Sequence, residues 1–251
     1  MMKHLFASFM FFTRLPFWRL ASVPADSFKH VVPYWSVVGW LTGGVLAGVF
    51  WLTAGVFPAV VAWLLAVVAR LLLTGCLHED GLADFCDGFG GGVGRERVLA
   101  IMKDSHIGTY GVVGLILYFL LLTRMSVLPP LELCAVVFCA DAYAKWCASQ
   151  IVNVLPYARK EEESKARVVY SRMSAGEFAA GLVGGWLPLF LFLPAELWWA
   201  CLCPPVVFAL LCLWMRRRIG GYTGDCCGAA FLLCELSFWL VVLALRFIPM
   251  I

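Results

Sequence analysis

Seven stretches of about 20 mostly apolar residues, at 35–57, 59–77, 108–128, 131–153, 177–195, 197–215 and 229–248, constrain this chain more than any other feature. A helix rises about 1.5 Å per residue, so each stretch is long enough to cross a hydrocarbon core about 30 Å thick. In that solvent every backbone N–H and C=O must be satisfied within the segment, which selects helices. Pro58, the pair Pro129 and Pro130, and Pro194 ahead of Glu196 stand in very short connections, so neighbouring stretches are expected to pack as antiparallel hairpins. The expected fold is all-α: a polytopic transmembrane helical bundle of about seven spans, forming one integral membrane domain over residues 1–251 with the lipid bilayer as its main partner.

Composition and charge narrow the functional classes. The chain is 63% apolar and 14% charged, against roughly half and a quarter in soluble domains. Its formal charge of +3 is small and its basic residues are dispersed, which leaves no footprint for nucleic acid. The eleven cysteines are an odd number without repeating spacing, a pattern that fits neither a disulfide framework nor a cysteine zinc site. Cys226 and Cys227 read as small apolar fillers. The start, MMKHLFASFMFFTRLPFW, is basic and then apolar like a secretory signal. It lacks a small-residue cleavage site and is interrupted by Arg14 and Pro16, so residues 1–34 are expected to form an interfacial amphipathic segment.

Seven alternating spans place the N-terminal segment and the connections 78–107, 154–176 and 216–228 on one side. That side collects Lys3, Arg14, Arg19, Lys29, Arg95, Arg97, Lys103, Arg159, Lys160, Lys165, Arg167, Arg172 and Arg216 to Arg218, which makes it cytoplasmic by the positive-inside rule. Glu79, Asp80, Asp84, Asp87, Glu96, Asp104, Glu161 to Glu163 and Asp225 fall there too, whereas the opposite connections hold little beyond Glu132 and Glu196. A transporter or channel would place polar groups along a path through the bilayer. This partition instead describes a one-sided active site on a membrane scaffold.

The densest polar stretch is residues 73–111. Asp80, Asp84 and Asp87 follow an i, i+4, i+7 pattern, so a helix carried through them aligns three carboxylates on one face. Such a stripe repels itself unless a cation sits in it, and all-oxygen donors favour Mg²⁺ shared with substrate phosphates. Gly88, Gly90, Gly91, Gly92 and Gly94 follow, a run expected to turn backbone amides toward an anion. Arg95, Arg97 and Lys103 supply cations for a diphosphate, and Asp104 adds a carboxylate. For the two arginines, plain membrane-surface charge is an equal reading. His78 and His106 flank the stretch as candidate proton acceptors, with an interfacial hydrogen-bonded histidine as the plainer account. A second polar stretch, 216–235, offers Gly220, Gly221, Thr223, Gly224 and Asp225. Glu235 lies inside the last span, where an ionisable group needs a partner. Within the fourth span Asp141 and Lys145 are spaced to pair with each other.

At LHEDGLADFCDGFGGG, IMKDSHIGTYG, LPYAR and GGYTGDCCGAA, with FFTRLP near the start, the sequence resembles the adenosylcobinamide-GDP ribazoletransferase (cobalamin synthase) family of the bacterial inner membrane. These segments stand in family order over nearly the whole chain. The resemblance implies attack by a hydroxyl of α-ribazole, or of its 5′-phosphate, on the cobinamide-linked phosphate of adenosylcobinamide-GDP. GMP leaves, and adenosylcobalamin or its 5′-phosphate forms. It implies Mg²⁺ at Asp80, Asp84 and Asp87, with Asp104 and Asp225 as further ligands or candidate base, so that Asp84, Asp104 and Asp225 are the expected catalytic residues. Gly90, Gly91, Arg95, Arg97, Lys103 and Thr223 would hold substrate, and association into a homo-oligomer is compatible with the chain. The sequence departs from the family pattern at Glu79, at His106 and around Phe231 and Leu232. The CDP-alcohol phosphotransferases also bind Mg²⁺ with several aspartates, but here DGLAD lacks their following Arg and their distal Asp pair is missing.

Overall fold

The apolar stretches become helices whose ends fall at the expected proline and glycine positions. The structure is a computed structural model and describes residues 2–159 and 169–248, so the expectations for Lys160, Glu161 to Glu163, Lys165 and Arg167 lie outside the described residues. In chain order the helices are α1 (Met2–Phe12), α2 (Trp35–Ala54), α3 (Ala59–Thr74), α4 (Leu77–Gly91), α5 (Arg95–Ile101), α6 (Thr109–Thr123), α7 (Pro130–Ser149), α8 (Ile151–Val154), α9 (Ala175–Phe192), α10 (Cys203–Ile219) and α11 (Gly224–Phe247). Pro58 and Pro129 are N-caps, and Pro130 and Pro204 sit in first turns, where a missing N–H costs nothing.

Among the described residues, five helical segments are long and apolar enough to cross a membrane, and the α3–α4 pair is a sixth candidate with a sharp bend. Helix α7 is less apolar because it carries Glu132, Asp141 and Lys145. It nevertheless runs between the same two ends of the bundle. Near its start, Glu132 accepts from Arg246 of α11 at 2.7 Å. Within α8, which follows at its other end, Asn153 accepts from the Met173 amide that leads into α9.

The four polar segments assemble at one end. Arg14 N–H donates to Leu73 C=O, Ser171 N–H to Lys29 C=O, Ala158 N–H to Tyr222 C=O and Tyr222 N–H to Pro156 C=O. One expectation for this end needs correction. Residues 78–107 are not a loop: α4 and α5 occupy most of them. The second span stops at Gly75 (φ +67°) and Cys76 (φ 59°), two successive left-handed residues that turn α4 through 89° relative to α3. Gly75 also leaves room for the Arg14 guanidinium.

Inside the bundle, charge is not confined to one side. Arg70 of α3 donates to Glu235 of α11 at 2.6 Å and to Asp141 of α7 at 3.3 Å through Nη1, and to the Tyr118 hydroxyl of α6 at 3.1 Å through Nη2. Lys145 pairs with Asp141, as their spacing predicts, and donates to Thr42 of α2 at 2.9 Å. The Thr42 hydroxyl donates to Asp141 at 2.7 Å. All four ionised side chains are buried. Phe231 lies under the Lys145 ammonium at 4.0 Å and beside the Arg70 guanidinium at 6.0 Å. These two cations and two carboxylates thus tie five helices together.

Deleting one member strands an opposite charge, at a cost of about 3–5 kcal/mol for a buried pair. Arg70→Met is therefore expected to lower the thermal unfolding temperature sharply in detergent. Adding Glu235→Gln recovers part of the loss, because the Lys145–Asp141 pair is then left balanced. No recovery in the double variant would show that the network is not a charge-balanced unit.

Candidate active site

The site is built where α4 crosses the start of α11. A β-carbon on Gly81 would lie 2.9 Å from the Asp225 carbonyl oxygen, and one on Gly228 would lie 3.0 Å from that of His78. Only glycine permits such backbone contact. It places Asp80 and Asp225 on one cleft of about 110 Å³, lined also by His78, Tyr157, Arg159, Tyr170 and Gly224. Helix α11 opens there. Its first turn is capped by Thr223, whose hydroxyl accepts from Cys226 N–H and donates to Asp225, both at 3.4 Å. Thr223 is fully buried, with its hydroxyl turned to Asp225. Arg159 donates to Leu99 C=O at 2.9 Å and brings its other terminal nitrogen to 4.0 Å from Asp225.

This cleft shares Tyr157 and Arg159 with a wider basin of about 630 Å³, which holds Arg95 at the start of α5 and Lys103 just beyond its end. Arg97 and Asp104 are in a separate basin of about 620 Å³ with Asp87, Gly91 and His106. The residues picked from the sequence are therefore divided by α5 rather than gathered around one point.

Several expected roles change with this geometry. Asp87 does not share a stripe with a free face: its two oxygens accept from Gly108 N–H at 2.7 Å and Gly111 N–H at 2.8 Å. It caps the start of α6. Asp84 is buried one helical turn from Asp80. Gly90 and Gly91 do not form an anion-binding turn, because α4 continues through Gly91 and only Gly94 in the run has positive φ. Gly90 instead lets the Tyr110 ring pack on the helix. Arg95 spends its guanidinium on Ile219 C=O at 2.9 Å and Ala158 C=O at 2.7 Å, which fixes two segment ends beside the basin. Lys103 and Arg97 are exposed. His78 is buried against Trp35 and Phe231, and its Nε2 has no hydrogen-bond partner among the described residues.

Sequence reasoning missed Arg159, which it counted only as surface charge, and Arg218, which closes the end of α4 by donating to Gly92 C=O at 2.6 Å. The LPYAR segment was the available signal for Arg159. Nothing local distinguished Arg218 from its two neighbours.

A helical bundle with apolar spans, a closed buried ion network and a carboxylate-bearing cleft at one end defines a polytopic membrane protein of enzyme type. A family model described as cobalamin-5-phosphate synthase matches residues 4–243. The chain belongs to that family. It is 38% identical to an adenosylcobinamide-GDP ribazoletransferase of Leptothrix cholodnii over 95% of this chain and 94% of that protein. It is also 38% identical to one from a Shewanella species (strain W3-18-1), over 93% and 90%, and 36% identical to one from Shewanella amazonensis, over 94% and 92%. No solved structure matches the chain.

Two predictions follow from the carboxylates of the second basin. Asp87→Asn turns an amide donor toward one of the two N–H groups at α6, and leaving a buried donor unsatisfied costs about 1–3 kcal/mol. The unfolding temperature should fall equally with and without Mg²⁺; a fall seen only with Mg²⁺ would make Asp87 a ligand instead. His106 lies 2.6 Å from Asp104. The hydrogen bond that the imidazole donates to Asp104 raises the His106 pKa above 6.5, and the same bond lowers that of Asp104. The ion pair is therefore present below the raised pKa and lost as pH climbs through it. In an NMR titration, Asp104→Asn should return the His106 midpoint toward 6.5.

Proposed function

We propose that this chain is an Mg²⁺-dependent adenosylcobinamide-GDP ribazoletransferase of the bacterial cytoplasmic membrane, acting late in nucleotide-loop assembly of cobalamin. The names of its relatives supply the substrates, and one observation carries the site: Asp80, Asp225 and Arg159 converge on a cleft at the N-terminus of α11. A helix N-terminus presents free N–H groups and partial positive charge to a phosphate. Arg159 adds a fixed cation beside it.

Asp80 and Asp225 are hard oxygen donors on opposite walls of the cleft, a set that suits Mg²⁺ completed by substrate phosphates and water. When bound there, the ion would neutralise charge developing on the diphosphate. The chain itself positions the partners. Arg95 and Arg159 hold the segment ends around the basin, Lys103 at its rim meets the guanosine-side phosphate, and a hydroxyl of α-ribazole, or of its 5′-phosphate, approaches the cobinamide-side phosphorus. A new P–O bond forms there as the bond to the bridging oxygen breaks, and GMP departs with that oxygen. Buried His78, with its unpartnered Nε2 among the cleft residues, is placed to accept the hydroxyl proton. Most of the catalysis then comes from orientation and charge neutralisation.

The basic residues at the site end make it the cytoplasmic face by the positive-inside rule. The N-terminal segment and the active-site segments share that face.

The deciding experiment incubates detergent-purified protein with adenosylcobinamide-GDP, α-ribazole and Mg²⁺ and measures GMP and cobalamin. Metal-dependent product is expected. Asp80→Asn and Asp225→Asn should each reduce turnover about 100-fold or more, the scale of removing a group that stabilises developing charge. Inside-out membrane vesicles should turn over externally added substrate and right-side-out vesicles should not. No product from folded wild type would return the transporter and CDP-alcohol phosphotransferase readings to the front.

A further inference from the structure

Away from the cleft, at the same end of the bundle, His4 of α1 and His30 at the end of the 3-10 stretch Ala25–His30 lie together over the start of α9. Their rings stack with centroids 4.6 Å apart and planes 9° from parallel. Both aim Nδ1 at one oxygen of Glu177, Oε1, at 2.8 Å from His30 and 3.5 Å from His4. The other oxygen, Oε2, accepts from the Ser174 N–H at 2.9 Å and from the Ser174 hydroxyl at 2.8 Å, completing the capping box of α9. The three donor atoms lie within 4.8 Å of one another, and no other trio of His, Cys, Asp or Glu among the described residues does so.

We propose that His4, His30 and Glu177 form a binding site for a borderline divalent cation of the Zn²⁺ type. Two imidazole nitrogens and one carboxylate oxygen are the donors such a cation takes, with a fourth position left for water. Mg²⁺ and Ca²⁺ prefer all-oxygen sets, so this site and the Asp80–Asp225 cleft select different metals. The carboxylate is held from behind: Ser174 fixes Oε2 and leaves Oε1 to face the rings, the arrangement by which outer hydrogen bonds orient a ligand. Glu177 is buried while the histidine side chains are about a third exposed, at 30% and 32%, so a cation and its water can reach them.

The three donors come from three separate elements. A cation here would pin α1 and the 25–30 stretch to the start of α9. The same N-terminal segment supplies Phe11, Phe12 and Val32 to the catalytic cleft, so metal occupancy would set how firmly one wall of that cleft is held.

The test uses full-length protein in detergent, stripped with EDTA and titrated with Zn²⁺ against a chromophoric indicator. Wild type should take up one tight equivalent that raises its unfolding temperature. His30→Gln, His4→Gln and Glu177→Gln should each weaken that equivalent about 100-fold or more, since losing a ligand exceeds the about 10–100-fold cost of losing its outer support. Glu177→Gln keeps a side chain able to complete the capping box, and equal melting of all four proteins in EDTA separates ligand loss from misfolding. Co²⁺ supplies a readout that needs no variant: d–d absorption without a thiolate charge-transfer band identifies nitrogen and oxygen donors and excludes the cysteines. Equal Zn²⁺ affinity in wild type and all variants, no tight equivalent in wild type, or a thiolate band in the Co²⁺ spectrum would overturn the proposal. None of these readouts depends on the transferase reaction.

Discussion

The Arg70 guanidinium is the group on which the bundle depends. It sits on α3 within reach of carboxylates from α7 and α11 and a phenol from α6, and Lys145 extends the network to Thr42 on α2. An isolated charge in a bilayer is costly, so each of these side chains is tolerable only while the others hold their places. Apolar packing between transmembrane helices is poorly directional, because lipid tails compete for the same contacts. A hydrogen-bonded set of two cations and two carboxylates is directional, and it fixes which helices are neighbours and at what depth. Around it, Gly39 and Gly43 of α2 bring that helix against the backbone of α7 at Ala142 and Phe138, a small-residue seam of the kind membranes use for close approach.

That fixed depth builds the site. Glu235 is ten residues past Asp225 on the same helix, so anchoring Glu235 to Arg70 sets the height at which α11 begins and Asp225 stands. Arg70 lies just before the Gly75–Cys76 turn that swings α4 across the end of the bundle. The two helices then meet at Gly81 and Gly228, and their backbone contact decides the separation of Asp80 from Asp225. The Asp80–Asp225 cleft is thus positioned from below by the ion network.

Much of this was legible in the sequence because it depends on local composition. The apolar runs, their proline-marked turns, the Asp141–Lys145 pair at i+4 and the concentration of carboxylates at one end are all properties of short windows, and the structure carries them, with five apolar spans and a sixth, bent one among the described residues. What could not be read depends on residues far apart in the chain. The Asp80, Asp84 and Asp87 stripe looked uniform, yet Asp87 is taken by amides of Gly108 and Gly111 while Asp80 reaches the cleft. The glycine run suggested a phosphate turn, but its members serve helix packing, and helicity at Gly90 is imposed by Tyr110 and the rest of the tertiary structure against a poor intrinsic propensity. Glu235 required a partner, and nothing near it in sequence pointed to Arg70, 165 positions away. His4, His30 and Glu177 share no spacing at all.

The arginines at the site end show how a membrane enzyme can place positive charge without leaving it free to move. Arg95, Arg159 and Arg218 each donate to backbone carbonyls, of Ile219 and Ala158, of Leu99, and of Gly92. A carbonyl satisfies a guanidinium N–H without neutralising its charge, as at Arg95 and Arg218, whereas Arg159 also faces the Asp225 carboxylate at 4.0 Å. The side-chain entropy of ordering them is lost on folding rather than on binding, which is the condition for electrostatic stabilisation that needs no reorganisation during reaction. Lys103 and Arg97 are exposed in separate basins, and their long stems suit capture more than fixed alignment. The division between held and unheld cations accounts for a cluster that looked, in the sequence, like undifferentiated membrane-surface charge.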